Sequence, residues 1–325
     1  MTISIIGGAG FVGTRLSKNL KKLNINHDIY DINTKSDSHI YVDVTQEGTL
    51  DAIKYSETII NLAAVHRDDI RPLSLYDDVN VGGAENVCKA AKKYNINNII
   101  FTSSVAIYGF APKNTNENGE PNYFNDYGRT KYLAEKVYIK WFEEDPTNRS
   151  LTIIRPTVIF GEGNRGNVYN LLNQIASKKF AMIGNGANIK SMAYVENVAS
   201  FINFSLSFTK GIHIYNYIDK PDLSMNQLIS LVRKILFTKD NVGIRLPSLI
   251  GYIAGYIFDF ISYILNKNLP ISSIRIKKFL SNSQFDTSLK QTGFKAPVTL
   301  EEGMMNTLIY EFIEDNKNKE VFETE

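Results

Sequence analysis

The sequence predicts an α/β protein with a Rossmann-type, doubly wound parallel sheet and a smaller C-terminal α/β lobe. Two observations favour this class. Five short runs rich in β-branched residues alternate with helical patterns, and the runs are mostly apolar, which is typical of parallel strands buried on both faces. A glycine-rich turn at residues 7–13 follows the first run and leads into a helix. The predicted strands cover residues 2–6, 28–32, 58–62, 98–102 and 151–154.

The glycine turn has the spacing of a phosphate-binding loop, satisfying both Gly-x-Gly-x-x-Gly and Gly-x-x-Gly-x-x-Gly. Glycine lets the backbone turn sharply and approach a pyrophosphate, and the N-terminus of the following helix then faces the anion. The turn therefore predicts a dinucleotide site. Its residues are Gly7, Gly8, Gly10, Phe11, Val12 and Gly13.

An acidic residue, Asp31, stands where the second predicted strand ends. A carboxylate there accepts hydrogen bonds from ribose hydroxyls and repels a 2′-phosphate, and no basic residue follows directly because Ile32 and Asn33 come next. We therefore expect NAD rather than NADP. Asp43 and Val44, after a further short apolar run, are candidates for the adenine contact, with a solvated turn as the alternative.

Composition excludes several other classes. Lys and Arg total 36 against 34 for Asp and Glu, so the net charge of +2 predicts no nucleic-acid footprint. The lone cysteine, Cys88, has no disulfide partner and is expected to pack in a helix, as in a reducing cytosol. The four histidines are scattered without zinc-site spacing, so we expect no metal. We predict a cytoplasmic protein.

The pattern changes after Arg155 and Pro156, where Gly/Asn-rich loops at 161–166 and 184–188 flank a separate helical stretch at 168–177. We predict that residues 1–160 form the NAD-binding Rossmann domain, whose sheet can take back later segments. Residues 161–313 form mainly a substrate-binding lobe. Residues 314–325 are too polar to pack and are expected to form a flexible tail without a function.

Tyr127 and Lys131 are candidates for acid/base chemistry. They lie in Tyr-Gly-Arg-Thr-Lys at the start of an apolar-periodic helix, so both side chains share one helix face. An ammonium beside a phenol stabilises the phenolate, and we expect Lys131 to lower the pKa of Tyr127 toward neutrality. The tyrosine can then remove a proton from a hydroxyl group while hydride leaves the same carbon for nicotinamide.

A hydroxyl cluster, Thr102, Ser103 and Ser104, follows the predicted strand at 98–102. Ligands of such sheets bind at the carboxyl ends of the strands, so one hydroxyl is expected to hold the reacting oxygen. The alternative is a Ser/Thr turn that caps the strand, which applies more to Thr102 than to Ser104.

Together these motifs resemble the extended short-chain dehydrogenase/reductase family, the NAD-dependent sugar epimerases and dehydratases, over nearly the whole chain. The resemblance implies Ser104, Tyr127 and Lys131 as catalytic residues. It extends the cofactor contacts to Tyr127, Lys131 and the matching residues Leu62, Ala63, Ala64, Asn80 and Pro156. Further matches are Asn86 with Val87, Arg155 with Gly161, Phe285 with Asp286, and Gly293 with Phe294.

The dehydratases of this family carry Asp-Glu after the catalytic hydroxyl, whereas this chain has Val105 and Ala106. Neither side chain transfers a proton, so redox chemistry or epimerisation remains. Segments 66–69, 164–169, 190–195 and 215–222 resemble the bacterial epimerases of undecaprenyl-diphosphate-linked N-acetylglucosamine, which act in O-antigen or surface glycan synthesis. The resemblance implies a sugar-diphosphate substrate bound by Ser104, Tyr127, Asn167, Lys190 and Arg275.

Alternatives stay open at this point. The substrate is lipid-linked or UDP-linked, and the reaction is a 4-epimerisation through a 4-keto sugar or a net oxidoreduction. A non-catalytic dinucleotide-binding regulator on the same fold is the remaining class. Intact Ser104, Tyr127 and Lys131 argue against that class.

One apolar segment stands out. Its part at 246–258, before Asp259, is short of the roughly 18 to 20 residues that a membrane-spanning helix needs. Residues 247–265 combine many apolar side chains with tyrosines, and Arg275, Lys277 and Lys278 follow. This pattern favours peripheral contact with the inner face of an anionic membrane. A helix packed within the lobe, or a homodimer contact, is the alternative.

Overall fold

The structure, a computed structural model, describes residues 2–34, 36–67, 70–265, 272–316 and 320–322. Its strands are β1 (Ile3–Ile6), β2 (His27–Asp31), β3 (His39–Tyr41), β4 (Thr58–Asn61), β5 (Asn98–Thr102), β6 (Ser150–Pro156), β7 (Val158–Phe160), β8 (Met182–Ile183), β9 (Ile189–Tyr194), β10 (Gly211–Tyr217), β11 (Asp219–Ser224) and β12 (Arg245–Leu246). Its helices are α1 (Phe11–Lys22), α2 (Ser74–Tyr76), α3 (Gly83–Lys93), α4 (Asp126–Glu143), α5 (Asn167–Ala176), α6 (Val195–Ser205), α7 (Met225–Phe237), α8 (Ser248–Leu265), α9 (Ser273–Leu280) and α10 (Leu300–Phe312). A π-helical segment, Asp77–Gly82, joins α2 to α3.

Within the described residues, the main sheet has seven strands in the order β10-β6-β5-β4-β1-β2-β3. Every neighbouring pair is parallel, with Ile6 of β1 opposite Tyr30 on one side and Asn61 on the other. The strand order reverses between β1 and β4, which makes this the switch point where ligands of doubly wound sheets bind. The predicted fold class is confirmed.

The five predicted strands are present with small shifts at their ends. The sequence analysis did not name β3 or β10. Strand β10 pairs with β6, from Gly211 opposite Ser150 to Tyr217 opposite Pro156, so a late segment rejoins the main sheet. The chain around residue 160 therefore leaves the sheet only temporarily, as the sequence analysis allowed, while the division into lobes stays a prediction.

Helices cover both faces of the sheet, and neighbouring residues of a strand point to opposite faces. Ile59, Ile99 and Ile153 pack with α3 and α4 on one face. The residues that follow them, Ile60, Ile100 and Ile154, pack with α1 and α6 on the other face. Cys88 is buried in α3, as predicted. This double burial explains why the strands are apolar runs rather than alternating patterns.

The second lobe has its own core. Strands β7, β9 and β11 form a three-stranded sheet, and β8 pairs with β12. Helices α5, α7 and α10 pack on this sheet through residues such as Leu172, Ile229 and Met304, all fully buried. Strand β7 follows β6 after one residue, so the second sheet begins at the carboxyl end of β6.

Helix α8 is longer than the apolar stretch at 246–258, whose length was the argument against a membrane span. The helix continues to Leu265 and reaches 18 residues, with a mean hydropathy of 1.5 and 11% of its residues buried. Its length of about 27 Å approaches the roughly 30 Å hydrocarbon core of a bilayer. By length and composition alone, this is the one helix in the described part of the chain that meets the criteria for a membrane span.

The prediction that residues 314–325 pack on nothing was wrong at Phe322. Its backbone bridges to Asn164, and its ring lies 5.6 Å from the ring of Phe11, measured between centroids. The segment is polar in composition, and in its described part, 320–322, the aromatic side chain of Phe322 makes this contact.

A buried ion pair joins β6 to α4. The Arg155 guanidinium donates to both carboxylate oxygens of Glu135 on α4, at 2.9 and 2.7 Å. Its third nitrogen donates to the Tyr108 hydroxyl at 2.6 Å and to the Glu117 carbonyl at 3.1 Å. Both charged side chains are almost inaccessible to solvent. A pair of this kind is costly to break because the remaining charge is left buried.

We therefore predict that Glu135→Gln lowers the free energy of unfolding by about 3 to 5 kcal/mol. The double substitution Glu135→Leu with Arg155→Met removes both charges and should recover most of that loss. Urea denaturation followed by circular dichroism measures both. A double variant as unstable as the single one would contradict a role for charge burial.

Candidate active site

The candidate site lies at the carboxyl edge of the sheet, where three consecutive inner strands end. The glycine turn follows β1, residues 62–66 follow β4, and Ser104 follows β5. Helix α4 supplies Tyr127 and Lys131 from the side. The fold thus brings together the predicted glycine turn and the predicted catalytic residues at the switch point.

The glycine turn is packed too closely for larger residues. Gly7 has φ +76°, and a Cβ there would lie 2.6 Å from the Ala63 backbone nitrogen. A Cβ on Gly13 would lie 2.5 Å from the Cα of Gly8. Helix α1 begins at Phe11 with Gly10 as N-cap, and no side chain caps it. Its first amides are therefore available to an anion, and the residues fit a dinucleotide pyrophosphate.

Asp31 ends β2 beside this turn. One carboxylate oxygen accepts the Ala9 amide at 3.0 Å and the other accepts the Asn33 amide at 2.9 Å. These bonds fix the carboxylate next to the glycine turn, the position expected for a ribose contact.

Several other predicted cofactor residues have internal roles. The Asp43 carboxylate accepts the Thr45 amide and hydroxyl, at 2.9 and 2.7 Å, which is the turn that the sequence analysis gave as the alternative. Val44 is buried against Gly83. The Asn80 side chain exchanges two hydrogen bonds with the Val65 backbone and donates to Thr130 on α4. Asn80 therefore positions the segment after β4.

The remaining predicted cofactor residues line the same edge. Leu62, Ala63 and Ala64 are partly exposed, and Pro156 is buried at the end of β6. Ala63 is held by a hydrogen bond of 3.0 Å from its amide to the Asn61 side chain.

Ser104 and Tyr127 meet through their side chains. Ser104 caps a short 3-10 turn, accepting the Ala106 amide at 3.1 Å, and it also hydrogen-bonds Tyr127. The contact depends on Gly128, where a Cβ would lie 2.5 Å from the Ala106 carbonyl oxygen. Asn125 caps α4 by accepting the Gly128 amide at 2.9 Å. The sequence analysis missed Gly128, although the residue stands inside its Tyr-Gly-Arg-Thr-Lys motif.

The electrostatics differ from the prediction. Burial raises the pKa of Tyr127, and the hydrogen bond from Ser104 lowers it by less. Burial also lowers the pKa of Lys131 to about 7, against a smaller opposing effect of Glu135. The Lys131 ammonium lies 4.4 Å from the centroid of the Phe101 ring. The expectation of a tyrosine pKa near neutrality was therefore wrong for this structure, because desolvation outweighs the effect of the hydrogen bond from Ser104.

His66 approaches Tyr127 edge-on, with ring centroids 6.5 Å apart. It belongs to the segment 66–69 that carries part of the narrower resemblance, and Asp68 and Asp69 of that segment lie outside the described residues. His66 is exposed, so it lies on the open side of the tyrosine.

The structure gives Lys190 a different setting from the predicted diphosphate contact. Its ammonium donates to the backbone carbonyls of Lys278 and Ser281, at 2.8 and 2.7 Å, near the C-terminus of α9. Burial lowers the pKa of Lys190 to about 8. The side chain thus holds α9 in place, and cations suit a helix C-terminus. Asn167 and Arg275 are exposed, at the starts of α5 and α9.

Helix α9 brings two further cations to an aromatic pair that the sequence analysis did not identify. The rings of Phe110 and Phe124 lie 5.0 Å apart, and both side chains are partly exposed. The Lys277 and Lys278 ammonium groups each lie 4.9 Å from one of these rings. We call these four residues the aromatic rim. Phe124 stands three residues before Tyr127 in the chain, just ahead of α4.

Comparisons with known proteins agree with this geometry. The model of the NAD dependent epimerase/dehydratase family matches residues 3–217. The chain is 48% identical over 338 residues to the N-acetyl-alpha-D-glucosaminyl-diphospho-ditrans,octacis-undecaprenol 4-epimerase of Escherichia coli O157:H7, with 99% of each chain covered. It is 26% identical to the UDP-glucose 4-epimerase of Vibrio cholerae, with 94% of each covered.

Solved structures show the same fold. MoeE5 in complex with UDP-glucuronic acid and NAD has a TM-score of 0.75 at 19% identity, covering 95% of this chain and 98% of that one. The UDP-N-acetylglucosamine 4-epimerase from Bacillus cereus has a TM-score of 0.74 at 16% identity, with the same coverage. With the glycine turn, Ser104, Tyr127 and Lys131 all in place, the chain belongs to the NAD dependent epimerase/dehydratase family.

Proposed function

We propose that this chain is an NAD-dependent 4-epimerase of a diphosphate-linked N-acetylhexosamine, carried on undecaprenol. The observation that carries the proposal is the arrangement of three residues: Ser104 lies at the end of β5, and α4 carries Tyr127 and, one helical turn later, the buried Lys131. The proton-inert Val105 and Ala106 follow Ser104 directly. This set can move one proton at one hydroxyl and has no second acid/base pair for dehydration. The 48% identical relative is named as an epimerase of such a substrate.

Tyr127 acts as the base in this proposal. Because burial raises the pKa of Tyr127, its phenolate forms in this proposal only with the positive charges of Lys131 and of bound NAD close to it. The phenolate then removes the proton of the sugar C4 hydroxyl, and the Ser104 hydroxyl donates to the same oxygen. Lys131, with a pKa of about 7, is partly protonated at neutral pH and stabilises the phenolate from its buried position. Bound NAD would supply the hydride acceptor and donor at C4. The 4-keto sugar would then rotate within the site so that hydride returns to its other face. Tyr127 returns the proton to the C4 oxygen, which forms the new hydroxyl.

The cofactor assignment rests on the turn and on Asp31. The backbone at Gly7 passes too close to Ala63 for a side chain to fit. The Asp31 carboxylate lies next to the glycine turn, where it accepts the Ala9 amide. Proteins with the same fold have been solved with NAD. These features support NAD rather than a 2′-phosphorylated cofactor.

Two surfaces support the lipid linkage. The aromatic rim places two ammonium groups against two rings, just ahead of α4 in the chain, a combination suited to a diphosphate followed by an isoprenoid chain. Helix α9, which carries those lysines, packs against α8. A substrate chain that leaves the site over the rim would therefore continue toward the apolar helix.

The outer face of α8 supports contact with the membrane surface. Its single charged residue, Asp259, points inward and accepts the Ser273 amide at 3.2 Å. Gly251 and Gly255 form the buried face. Apart from Ser248 at its start, the exposed residues of the helix are apolar or tyrosine: Leu249, Ile250, Ile253, Tyr256, Ile257, Phe260, Ile261, Tyr263, Ile264 and Leu265. Such a patch marks an interaction site, and with Lys277 and Lys278 nearby it suits an anionic bilayer. The alternative is that a second copy of the chain covers this face of α8 in a homodimer.

The substrate class is tested by incubating the purified protein with N-acetylglucosaminyl-diphospho-undecaprenol and, separately, with UDP-N-acetylglucosamine. We expect the lipid-linked sugar to become N-acetylgalactosamine without added NADH and without net change in absorbance at the NADH band. Turnover of only the UDP sugar would establish the alternative substrate. Stoichiometric NADH formation would instead indicate a net oxidoreductase.

We predict that Tyr127→Phe leaves folding and NAD binding nearly intact but reduces turnover by at least about 100-fold, because only the proton acceptor is lost. Initial rates with saturating substrate measure the effect. Tyr123→Phe serves as the matched control, since Tyr123 is an exposed neighbour on the same segment. A Tyr127→Phe rate above a tenth of wild type would remove Tyr127 from the mechanism.

Asp31→Ala should weaken NAD binding and narrow the preference for NAD over NADP, because the hydroxyl acceptor and the repelling charge are lost together. Fluorescence titration with each cofactor measures both affinities. The control is Asp28→Ala, on the same strand and exposed. Unchanged affinities in the Asp31 variant would assign the ribose contact to another residue.

Membrane contact is tested by flotation with vesicles of anionic phospholipid at low salt. Wild type should float, and the variant with Tyr256→Asp and Ile257→Asp should not, because both exposed side chains lie on the outer face of α8. A control variant with Tyr55→Asp and Ile212→Asp changes exposed residues outside this helix and should float. If wild type stays unbound while the α8 substitutions dissociate a dimer in analytical ultracentrifugation, the helix is a dimer contact.

A further inference from the structure

We propose that residues 320–322 form a C-terminal clasp that holds the loop at residues 161–165 against the first turn of α1 and thereby slows the release of bound NAD. The proposal rests on NAD as the cofactor of the proposed function. It assigns a role in cofactor retention to a segment that composition alone marks as a flexible tail.

The clasp is bonded to the loop through its backbone. The Phe322 amide donates to the Gly163 carbonyl, and the Phe322 carbonyl accepts the Arg165 amide, both at 2.8 Å. Together they form a parallel bridge between Phe322 and Asn164. These two hydrogen bonds fix the backbone of Phe322 and therefore the point from which its side chain extends.

That ring covers the start of α1. The centroid of Phe322 lies 5.6 Å from that of Phe11, the residue that follows the N-cap Gly10. The Arg15 guanidinium lies 5.6 Å from the Phe11 ring and 6.0 Å from the Phe322 ring, so one cation contacts both. Its Nη2 also donates to the Glu162 carbonyl at 2.7 Å. Phe11 is therefore enclosed between the glycine turn, Arg15 and the clasp.

The loop lies directly against the same residue. A Cβ on Gly161 would lie 3.3 Å from the tip of the Phe11 ring. Helix α10 anchors the loop from behind, since the Glu311 carboxylate accepts the Gly163 amide and pairs with Arg165, both at 2.7 Å. The C-terminal part of the chain thus fixes the loop at two places, Glu311 and Phe322.

The consequence concerns the helix N-terminus that faces the pyrophosphate. The amides of Phe11 and Val12 act on an anion only if the first turn of α1 stays in place, and the clasp restrains that turn through Phe11. An epimerase restores its cofactor in every cycle and does not need to release it. Slow release of NAD is therefore compatible with turnover. A restraint on the glycine turn would keep the cofactor bound from one cycle to the next.

The test is the dissociation rate of NAD from the full-length protein, followed by exchange of bound radiolabelled NAD against excess unlabelled NAD. We expect Phe322→Ala to release NAD about 5- to 10-fold faster than wild type, and Phe322→Leu to fall between the two. Val321→Ala is the matched control, because that neighbouring side chain is exposed. Turnover of both Phe322 variants at saturating NAD should remain close to wild type.

Release from Phe322→Ala at the rate of Val321→Ala would overturn the clasp while leaving the proposed function intact. If wild type itself retains no NAD and binds none in titration, both the clasp and the proposed cofactor fail. Thermal unfolding of the variants checks their folding, and Phe322→Leu keeps an apolar side chain in case the alanine variant is unstable.

Discussion

The glycine turn and the segment after β4 are in van der Waals contact, and the geometry of the site depends on that contact. A Cβ on Gly7 would overlap the Ala63 backbone, and one on Gly13 would overlap Gly8. The close approach lets the start of α1 point into the switch point between β1 and β4. A second close approach, between Gly128 and the Ala106 carbonyl, sets Tyr127 against Ser104. The contact of Gly7 with Ala63 thus positions the glycine turn, and the contact of Gly128 with Ala106 positions Tyr127.

Burying the charged side chains near the site costs desolvation free energy, and their neighbours offset part of that cost. Arg155 and Glu135 satisfy each other in the interior. Lys131 has the Phe101 ring and a lowered pKa of about 7, so it loses its proton more readily than a solvated lysine. A side chain that changes charge near neutral pH is suited to assist a tyrosine that must alternate between phenol and phenolate.

Sequence reasoning predicted the parts of the site that depend on local pattern. Glycine spacing, a strand ending in Asp31 and the Tyr127/Lys131 motif are encoded within a few residues, and the structure places them as expected. The setting of Lys190, the packing of Phe322 and the inward direction of Asp259 depend on partners 88, 311 and 14 residues away, which periodicity does not reveal. Phe322 contacts Phe11 from the opposite end of the chain, which no local pattern encodes.

The central claim is that one tyrosine and one cofactor invert C4 without exchange with solvent. The most direct measurement uses a lipid-linked N-acetylglucosamine carrying deuterium at C4, with mass spectrometry of the product. We expect the epimer to keep its deuterium at C4, because the hydride that leaves this carbon returns to it. Loss of the label to water would rule out this mechanism, since it would require inversion by proton exchange at carbon.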